Sequence, residues 1–438
     1  MQILTWNQLN EAQRIDALAR APANQSTETR QIVAGIINQV RDHGDNAIRE
    51  LTARFDKVEL DSLQASEAEL DAAITDVPDD VRRSIEAAYE NIRVFHHACQ
   101  PQDTSLETVE GVRCSARYVG IQRVGLYAPG GQTPLPSSVL MMGVPAQLAS
   151  CQELVLCTSP GTDGRVDPAI ALAARLCGVN AIFKIGGAQA IAAMALGTES
   201  VPACNKLFGP GSVWVTEAKR QIAASDSTVT IDMPAGPSEV LVIADAQADP
   251  QFVAADLIAQ IEHGRDSQAI LVTDSLEFAE QTLAAVAEQA ARLSRRELIE
   301  ASLEFSRIII AEDMGQAVDI ANRYAAEHLI IQTEDAESVL ERITAAGSIF
   351  IGPWTPEVLG DYCSGTNHVL PTCGFAQSVN GLSVVDFMKR ITVQQATAEG
   401  LERLADTART LAEWEGLTAH ANAIEVRQDK LASKGVSS

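Results

Sequence analysis

Gln260 and His263 sit three residues apart in "DLIAQIEHGRDSQ", an apolar-periodic run. Side chains at i and i+3 on a helix share a face, so both can reach one ligand. Histidine is a common metal ligand, whereas glutamine is a poor one. The pair reads either as a polar cap near a helix end, stopped by Gly264, or as part of a metal site. Two ligands do not hold a metal, and Asp361 and His420 are the candidates to complete the set. Asp361 follows Gly360 in "GDYCSGTNHVLPT", a loop rich in Gly and Thr with His368 seven residues further on. Two histidines, one aspartate and one glutamine make a nitrogen and oxygen donor set that suits zinc or a similar divalent ion.

A second pair, Glu327 and His328 in "AAEHLIIQT", lies where a helical run gives way to a strand. Neighbours on a strand point to opposite faces, but at an element end both can reach one cleft. The ordinary pKa of histidine lies near neutrality, which suits a general base, and the glutamate could activate a water. A solvated Glu beside a packed His is the plainer reading. His43, His96 and His97 fall in N-terminal helices and read as surface or structural groups. Cys363, beside Asp361, is the obvious candidate for a cysteine nucleophile of the aldehyde-dehydrogenase kind. It would need a lowered pKa and a nearby base.

Three glycine-rich turns, "GLYAPGG", "KIGGAQAIAAMALG" and "KLFGPGSVWVTEAKR", each follow a strand-like run and lead towards a helical one. Backbone N–H groups and a helix N-terminus can hold phosphate there. None matches G-x-G-x-x-G, and tight turns in a doubly wound sheet would look the same.

The elements that must position these residues alternate. The first hundred residues are helical in pattern, with a Ser/Thr cap signal opening "STETRQIVAGIINQVRDHGDNAIRELTARFD". From about residue 113, short β-rich runs alternate with helical ones, as in "RVGLYAPGG", "SSVLMMGVPAQLA", "ELVLCTS" and "AIFKIGG". That is the pattern of βαβ units and a parallel sheet. A second set runs from "EVLVIAD" through "QAILVTD", "SRIIIAED" and "HLIIQTED" to "SIFIGPW". The expectation is α/β, with two tandem Rossmann-like (incomplete, doubly wound) modules split near 232–238. N-terminal helices precede them and a helical C-terminal arm follows. The last 40 or so residues carry no strand and must pack on this chain or on a second one.

Composition narrows the class. At 438 residues the chain is too long for one core. Hydrophobic residues make up 46% and charged residues 21%, a globular balance. The net charge of −25 argues against a nucleic-acid partner and favours a cytoplasmic protein. There is no run of eighteen apolar residues to span a membrane, and the start lacks the layout of a signal peptide. None of the eight cysteines forms a CxxC pair, so reduced thiols are the default.

Taken together, "VGLYAPGG", "GGAQAIAAMALGTESVP", "FGPG", "VTEAKRQ", "IDMPAGPSEVLVIAD", "EHGRDSQ", "EHLIIQT", "GDYCSGTNHVLPT", "GLSVVDFMKRITVQ" and "LTAHANA" occur in one order over nearly the whole chain. In this the chain resembles the histidinol dehydrogenases, the NAD- and zinc-dependent enzymes of histidine biosynthesis. The resemblance implies that Gln260, His263, Asp361 and His420 are zinc ligands and that Glu327 and His328 are the acid–base pair. It implies substrate contacts at Ser238, His368 and Glu415 besides the zinc ligands and His328. It implies NAD contacts at Tyr127, Gln189 and Ser212. Two positions depart from the family's usual residues: Ser212 stands for Asn, and Ala326 for Pro before the "EH" pair.

The implied reaction takes L-histidinol to L-histidine through bound L-histidinal, with two hydride transfers to two NAD. A related amino alcohol is the alternative substrate. The implied assembly is a homodimer with intertwined C-terminal arms, one zinc per subunit, and Glu415 and His420 serving the other subunit's site. The implied domains are an N-terminal helical arm (1–22), a first α/β domain with the metal site (23–120 with 239–380), a second, NAD-binding one (121–238) and a C-terminal helical arm (381–438).

Overall fold

The structure, a computed structural model, describes residues 1–20, 27–131, 133–225, 228–233 and 236–435. The chain opens with β1 (Gln2–Thr5), α1 (Glu11–Ala17), α2 (Thr27–Phe55), α3 (Glu67–Thr75) and α4 (Asp79–Ala98). A hairpin follows, β2 (Thr104–Val109) and β3 (Val112–Gly120). The first alternating set is β4 (Arg123–Tyr127), α5 (Pro136–Leu148), β5 (Glu153–Thr158), α6 (Pro168–Leu176) and β6 (Ala181–Lys184). It continues with α7 (Gly187–Leu196), β7 (Lys206–Phe208), α8 (Val213–Ala223) and β8 (Thr230–Ile231). The second set is β9 (Glu239–Ala244), α9 (Pro250–Ile261), β10 (Gln268–Thr273), α10 (Leu276–Ala290), α11 (Arg296–Ser302) and β11 (Arg307–Ile310). It runs on through α12 (Met314–Tyr324), β12 (His328–Gln332), α13 (Ala336–Leu340), β13 (Ser348–Ile351) and α14 (Glu357–Tyr362). Last come β14 (Met388–Ala396), α15 (Ala398–Trp414) and α16 (Thr418–Gly435).

The chain forms two compact units. The first, Met1–Cys99 with Ile121–Phe387, holds both α/β modules. One parallel sheet has the order β6-β5-β4-β7-β8, and the other β1-β11-β10-β9-β12-β13. Leaving aside β1, the two orders are the same: the first three strands build outward one way and the last two the other way. Each sheet therefore has a switch point, between β4 and β7 in one and between β9 and β12 in the other. Central strands such as β9 ("EVLVIA") and β10 ("QAILVT") are buried along their whole length, as strands covered on both faces must be. Alternation still sorts their side chains. Val240 and Val242 join the cluster with α9 and α10, while Leu241 and Ile243 join the cluster with α12.

Packing replaces the expected grouping of 23–120 with 239–380. α2 packs against α7 and α8, α3 against α6, and α4 against α5 and α6, so these helices cover the first sheet. An apolar face read from sequence says that a helix packs, not on which sheet. Nor is 1–22 only a helical arm, because Gln2–Thr5 pairs in parallel with β11 at the edge of the second sheet. The cap signal falls partly on Ser26, and part of the 232–238 boundary on residues 234 and 235. All three lie outside the described residues.

The second unit is Gln100–Gly120 with the chain from Met388 on. Its sheet is antiparallel, in the order β14-β3-β2. The expected helical arm over 381–438 therefore begins with a strand, followed by α15 and α16 packed on each other. All eight cysteines are free, and among the described residues no helix is long and apolar enough to cross a membrane.

Candidate active site

Glu327 and His328 owe their position to a sharp helix end. Ala325 adopts a left-handed conformation (φ 53°) and its N–H still reaches Ala321, closing α12. Glycine usually takes this role, so an alanine here carries roughly 1 kcal/mol of strain. Three residues later His328 opens β12, in register with Val240 of β9. Both reacting candidates are buried, at the N-terminal edge of the second sheet. Glu327 Oε2 accepts a hydrogen bond from the Glu239 backbone N–H at 3.0 Å. Behind that contact, Arg20 grips the Glu239 carboxylate and donates to the Tyr324 carbonyl at 2.7 Å.

The cleft in front of these residues has a volume of about 230 Å³. Its floor includes Ser238, Gln260, His263, Glu327, His328, Asp361 and His368, and its opposite wall includes Gly209, Pro210 and Gly211. Three of the four sequence-predicted metal ligands thus share one cleft. Gln260 lies buried in the last turn of α9, and His263 stands exposed just past the helix end. The fourth ligand, His420, and Glu415 belong to the second compact unit and are exposed there. Among the described residues lining the cleft Cys363 is absent.

Glu357 joins the site from α14, on which Asp361 lies four residues further along and so on the same face. The carboxylate of Glu357 accepts from the Gln260 amide, once that amide is turned to face it. Three carboxyl groups therefore surround one imidazole. His328 lies 3.5 Å from an Asp361 carboxylate oxygen and 3.9 Å from one of Glu327. Among the described residues, neither of its ring nitrogens has a hydrogen-bond partner. Burial opposes its positive charge, but Glu357, Glu327 and Asp361 outweigh burial and push it up to about 10. Burial raises Glu327 to about 7 and Glu357 to about 8. Asp361 is held below the usual range: burial works against its ionised form, and His328 overcomes that.

Among the described residues, no three His, Cys, Asp or Glu side chains are grouped to hold a metal by themselves. The donors nevertheless fit a divalent cation. Gln260, His263 and Asp361 offer nitrogen and oxygen ligands in one cleft, and the surplus of buried carboxylates is negative charge that a cation would balance. The same cation would remove the bias that holds His328 protonated and return it towards the range of a base.

His368 has both ring nitrogens engaged. Nδ1 donates to the Asp361 carbonyl at 2.8 Å, which leaves Nε2 to accept from Ser138 Oγ at 3.4 Å. Burial pushes its pKa down. It lines the cleft and holds Asp361's backbone. The loop is tied further by Asn367, whose amide donates to the Met141 carbonyl at 2.6 Å, and by Asn91, which donates to the Cys363 carbonyl at 2.9 Å.

The three expected cofactor residues gather at the other sheet's C-terminal edge. Tyr127 ends β4 beside the switch point, its buried hydroxyl accepting from the Gly187 N–H at 3.1 Å. Gln189 lies in the first turn of α7 and lines an apolar cavity of about 260 Å³ with Phe55, Asp56 and Trp214. Ser212 is the N-cap of α8, exposed, and among the described residues it makes no side-chain cap bond. It shares a cavity of about 250 Å³ with Ser238 and His263, so the cofactor side and the ligand side meet. Sequence reasoning missed Glu357 and the Lys219–Asp232 ion pair on this wall. Only the four-residue spacing of Glu357 from Asp361 would have signalled the first.

Two doubly wound modules with a buried histidine–carboxylate centre facing a dinucleotide-type switch point define an α/β oxidoreductase. The family model for histidinol dehydrogenase matches residues 19–428. The histidinol dehydrogenase of Xanthomonas euvesicatoria pv. vesicatoria (strain 85-10) is 52% identical over 427 residues, covering 98% of this chain and 99% of that protein. That of Idiomarina loihiensis is 47% identical over 424 residues, covering 97% and 96%. The crystal structure of the histidinol dehydrogenase from Elizabethkingia anophelis superposes with a TM-score of 0.94 at 41% identity, covering 99% of each chain. The chain belongs to the histidinol dehydrogenase family, whose members catalyse the final step of histidine biosynthesis.

Proposed function

We propose that this chain oxidises L-histidinol to L-histidine with two NAD, using zinc, and that a related amino alcohol is the alternative substrate. The observation that carries the reading is the pair Glu327 and His328, buried together at one sheet edge and facing the switch point of the other sheet. His328 takes the alcohol proton as hydride leaves the substrate carbon for NAD. Glu327 then removes a proton from the water that attacks the aldehyde while His328 returns its proton to the carbonyl oxygen, giving the hydrate and restoring His328 as a base. His328 takes a hydrate proton as the second hydride leaves for a second NAD. Each oxidation gives up one hydride and one proton, so alcohol becomes acid with one water and two NAD consumed.

Zinc held by Gln260, His263, Asp361 and His420 of the partner subunit would grip the imidazole and amine of histidinol, a positioning role without redox chemistry. Ser238 contacts the substrate, and Glu415 of the partner subunit completes its pocket. His368 acts by holding Asp361 and the wall of that pocket. Tyr127, Gln189 and Ser212 hold NAD, Ser212 with a shorter side chain than the usual Asn. A homodimer is supported by the second unit, which leaves Leu411, Trp414 and Leu417 exposed, apolar surface that a second copy would cover. We place the enzyme in the cytoplasm.

The test is NADH absorbance on mixing purified protein, histidinol and NAD, with and without a chelator. Two NADH per histidinol, lost with chelator and restored by zinc, is expected. One NADH, or turnover of simple alcohols, would mean that the substrate is wrong. Cys363→Ala should retain full activity, and its inactivity would revive the cysteine-nucleophile alternative.

A further inference from the structure

Lys219 and Asp232 form an ion pair with side chains only 3% and 1% exposed, and none of the chemistry above uses it. Their hydrogen bonds converge on a single residue. Lys219 Nζ donates to the Gly209 carbonyl at 2.9 Å, and Asp232 Oδ2 accepts from the Gly209 N–H at 2.8 Å. Asp232 Oδ1 also accepts from the Met233 N–H at 2.7 Å. Both backbone polar groups of Gly209 are thus held from opposite ends of one buried pair.

Gly209 has φ +140°, a conformation side-chain-bearing residues rarely adopt, and a Cβ there would collide with the Tyr127 carbonyl. It lies against the end of β4 at the switch point, and the Gly209–Pro210–Gly211 turn lines the cleft opposite His328. Lys219 reaches this turn from within α8, the helix into which the turn leads, and Asp232 reaches it from just past β8. A buried ion pair is not an efficient stabiliser, since well-packed apolar residues commonly do as well. It is an efficient way to fix a backbone whose N–H and C=O must both point to set places.

We propose that Lys219 and Asp232 are positioning residues for the dinucleotide. They lock the Gly209–Gly211 turn and the start of α8 in the geometry that receives the cofactor, and they touch no reacting atom. The proposal rests on the NAD-dependent reading above. It adds that cofactor affinity, rather than the chemical step, depends on this pair.

The test compares the zinc-loaded wild type with Lys219→Met, Lys219→Arg and the double variant Lys219→Met with Asp232→Leu. The double variant leaves no unpaired charge buried, so it answers the question even if Lys219→Met does not fold. Wild-type NADH production from histidinol is measured first, and its absence would sink the functional reading, not this one. For the methionine and double variants, KM for NAD should rise about tenfold or more, with kcat at saturating NAD within about threefold. Zinc content and KM for histidinol should stay at wild-type values. Lys219→Arg keeps the charge and should recover part of the NAD affinity. A double variant with a lowered thermal midpoint but wild-type KM for NAD would reduce the pair to scaffold. A loss confined to kcat would place Lys219 in the chemistry, and either result overturns the proposal.

Discussion

The two parallel sheets have the same five-strand order and use opposite edges. In the first, Tyr127 ends β4 and Gly209 follows β7, so its cofactor candidates lie outside the carboxyl ends of the strands at the switch point, the usual place in open α/β sheets. In the second, His328 and Glu239 begin their strands, and Gln260 and His263 lie at the end of α9 that feeds β10. Its own carboxyl edge is closed. Asp245 Oδ2 accepts from the Glu334 N–H at 2.7 Å, and Gln332 donates to Asp256 at 2.9 Å. A repeated fold thus fixes the scaffold without fixing where chemistry sits. Facing a carboxyl edge with an amino edge gives a cleft in which, on the function proposed above, one module would hold a dinucleotide and the other would supply the acid–base groups.

The division of labour is broken most severely at the amino edge. Glu327→Gln keeps the shape and the contact with the Glu239 N–H, so the fold should survive. Removing an acid–base group should lower turnover about 10²- to 10⁴-fold, read as steady-state NADH formation, with the thermal midpoint unchanged. A loss of less than twofold would remove Glu327 from the mechanism.

His96 tests the helices that join the two edges. It lies on α4, which covers the first sheet, and its Nε2 is 3.4 Å from Asn367 of the Asp361 loop. Burial pushes it from the usual 6.5 down to about 4. The folded state therefore resists protonation that the unfolded chain accepts. Stability should be intact above pH 6.5 and should fall as pH drops towards 4, by roughly 3 kcal/mol at most. Melting curves of wild type and His96→Gln between pH 7 and 4.5 check this. The variant should show the shallower loss, and parallel slopes would contradict it.

At the carboxyl edge of the first sheet, Gly209→Ala forces a methyl group onto the Tyr127 carbonyl. A weakening of NAD binding by about tenfold, roughly 1.4 kcal/mol, is expected, with histidinol binding unchanged by calorimetry. Equal weakening of both ligands would mean that the two edges do not act separately.

The smallest effect belongs to the closed edge. Burial raises Asp256 to about 7, so its ionisation opposes folding, and its contribution declines as pH rises from the ordinary carboxyl range through 7. Asp256→Asn should leave activity unchanged and raise stability at pH 8 by about 1 kcal/mol, seen as a higher thermal midpoint. A large loss of turnover would show that this edge is functional after all.

Much of this was legible before the fold. The alternation of apolar runs gave both modules, and the position of "EH" at a helix-to-strand junction already placed His328 at an amino edge. The spacing of Gln260 and His263 put them together, although only the fold shows the first buried and the second at the rim. What stayed hidden is contact between distant segments. Residues 27–98 read as helices, yet nothing in an amphipathic pattern names the sheet they cover. "QILT" is too short and too exposed a strand to stand out. Lys219 and Asp232 look like ordinary surface charges until β8 and α8 bring both onto Gly209.

The most direct measurement uses His328→Ala, with NADH binding followed by fluorescence and histidinol turnover followed on the same sample. NADH affinity within about twofold of wild type, with turnover reduced at least about 10²-fold, is the result expected if the amino edge reacts and the carboxyl edge binds. Parallel loss of NADH affinity and turnover, or retention of both, would contradict that division.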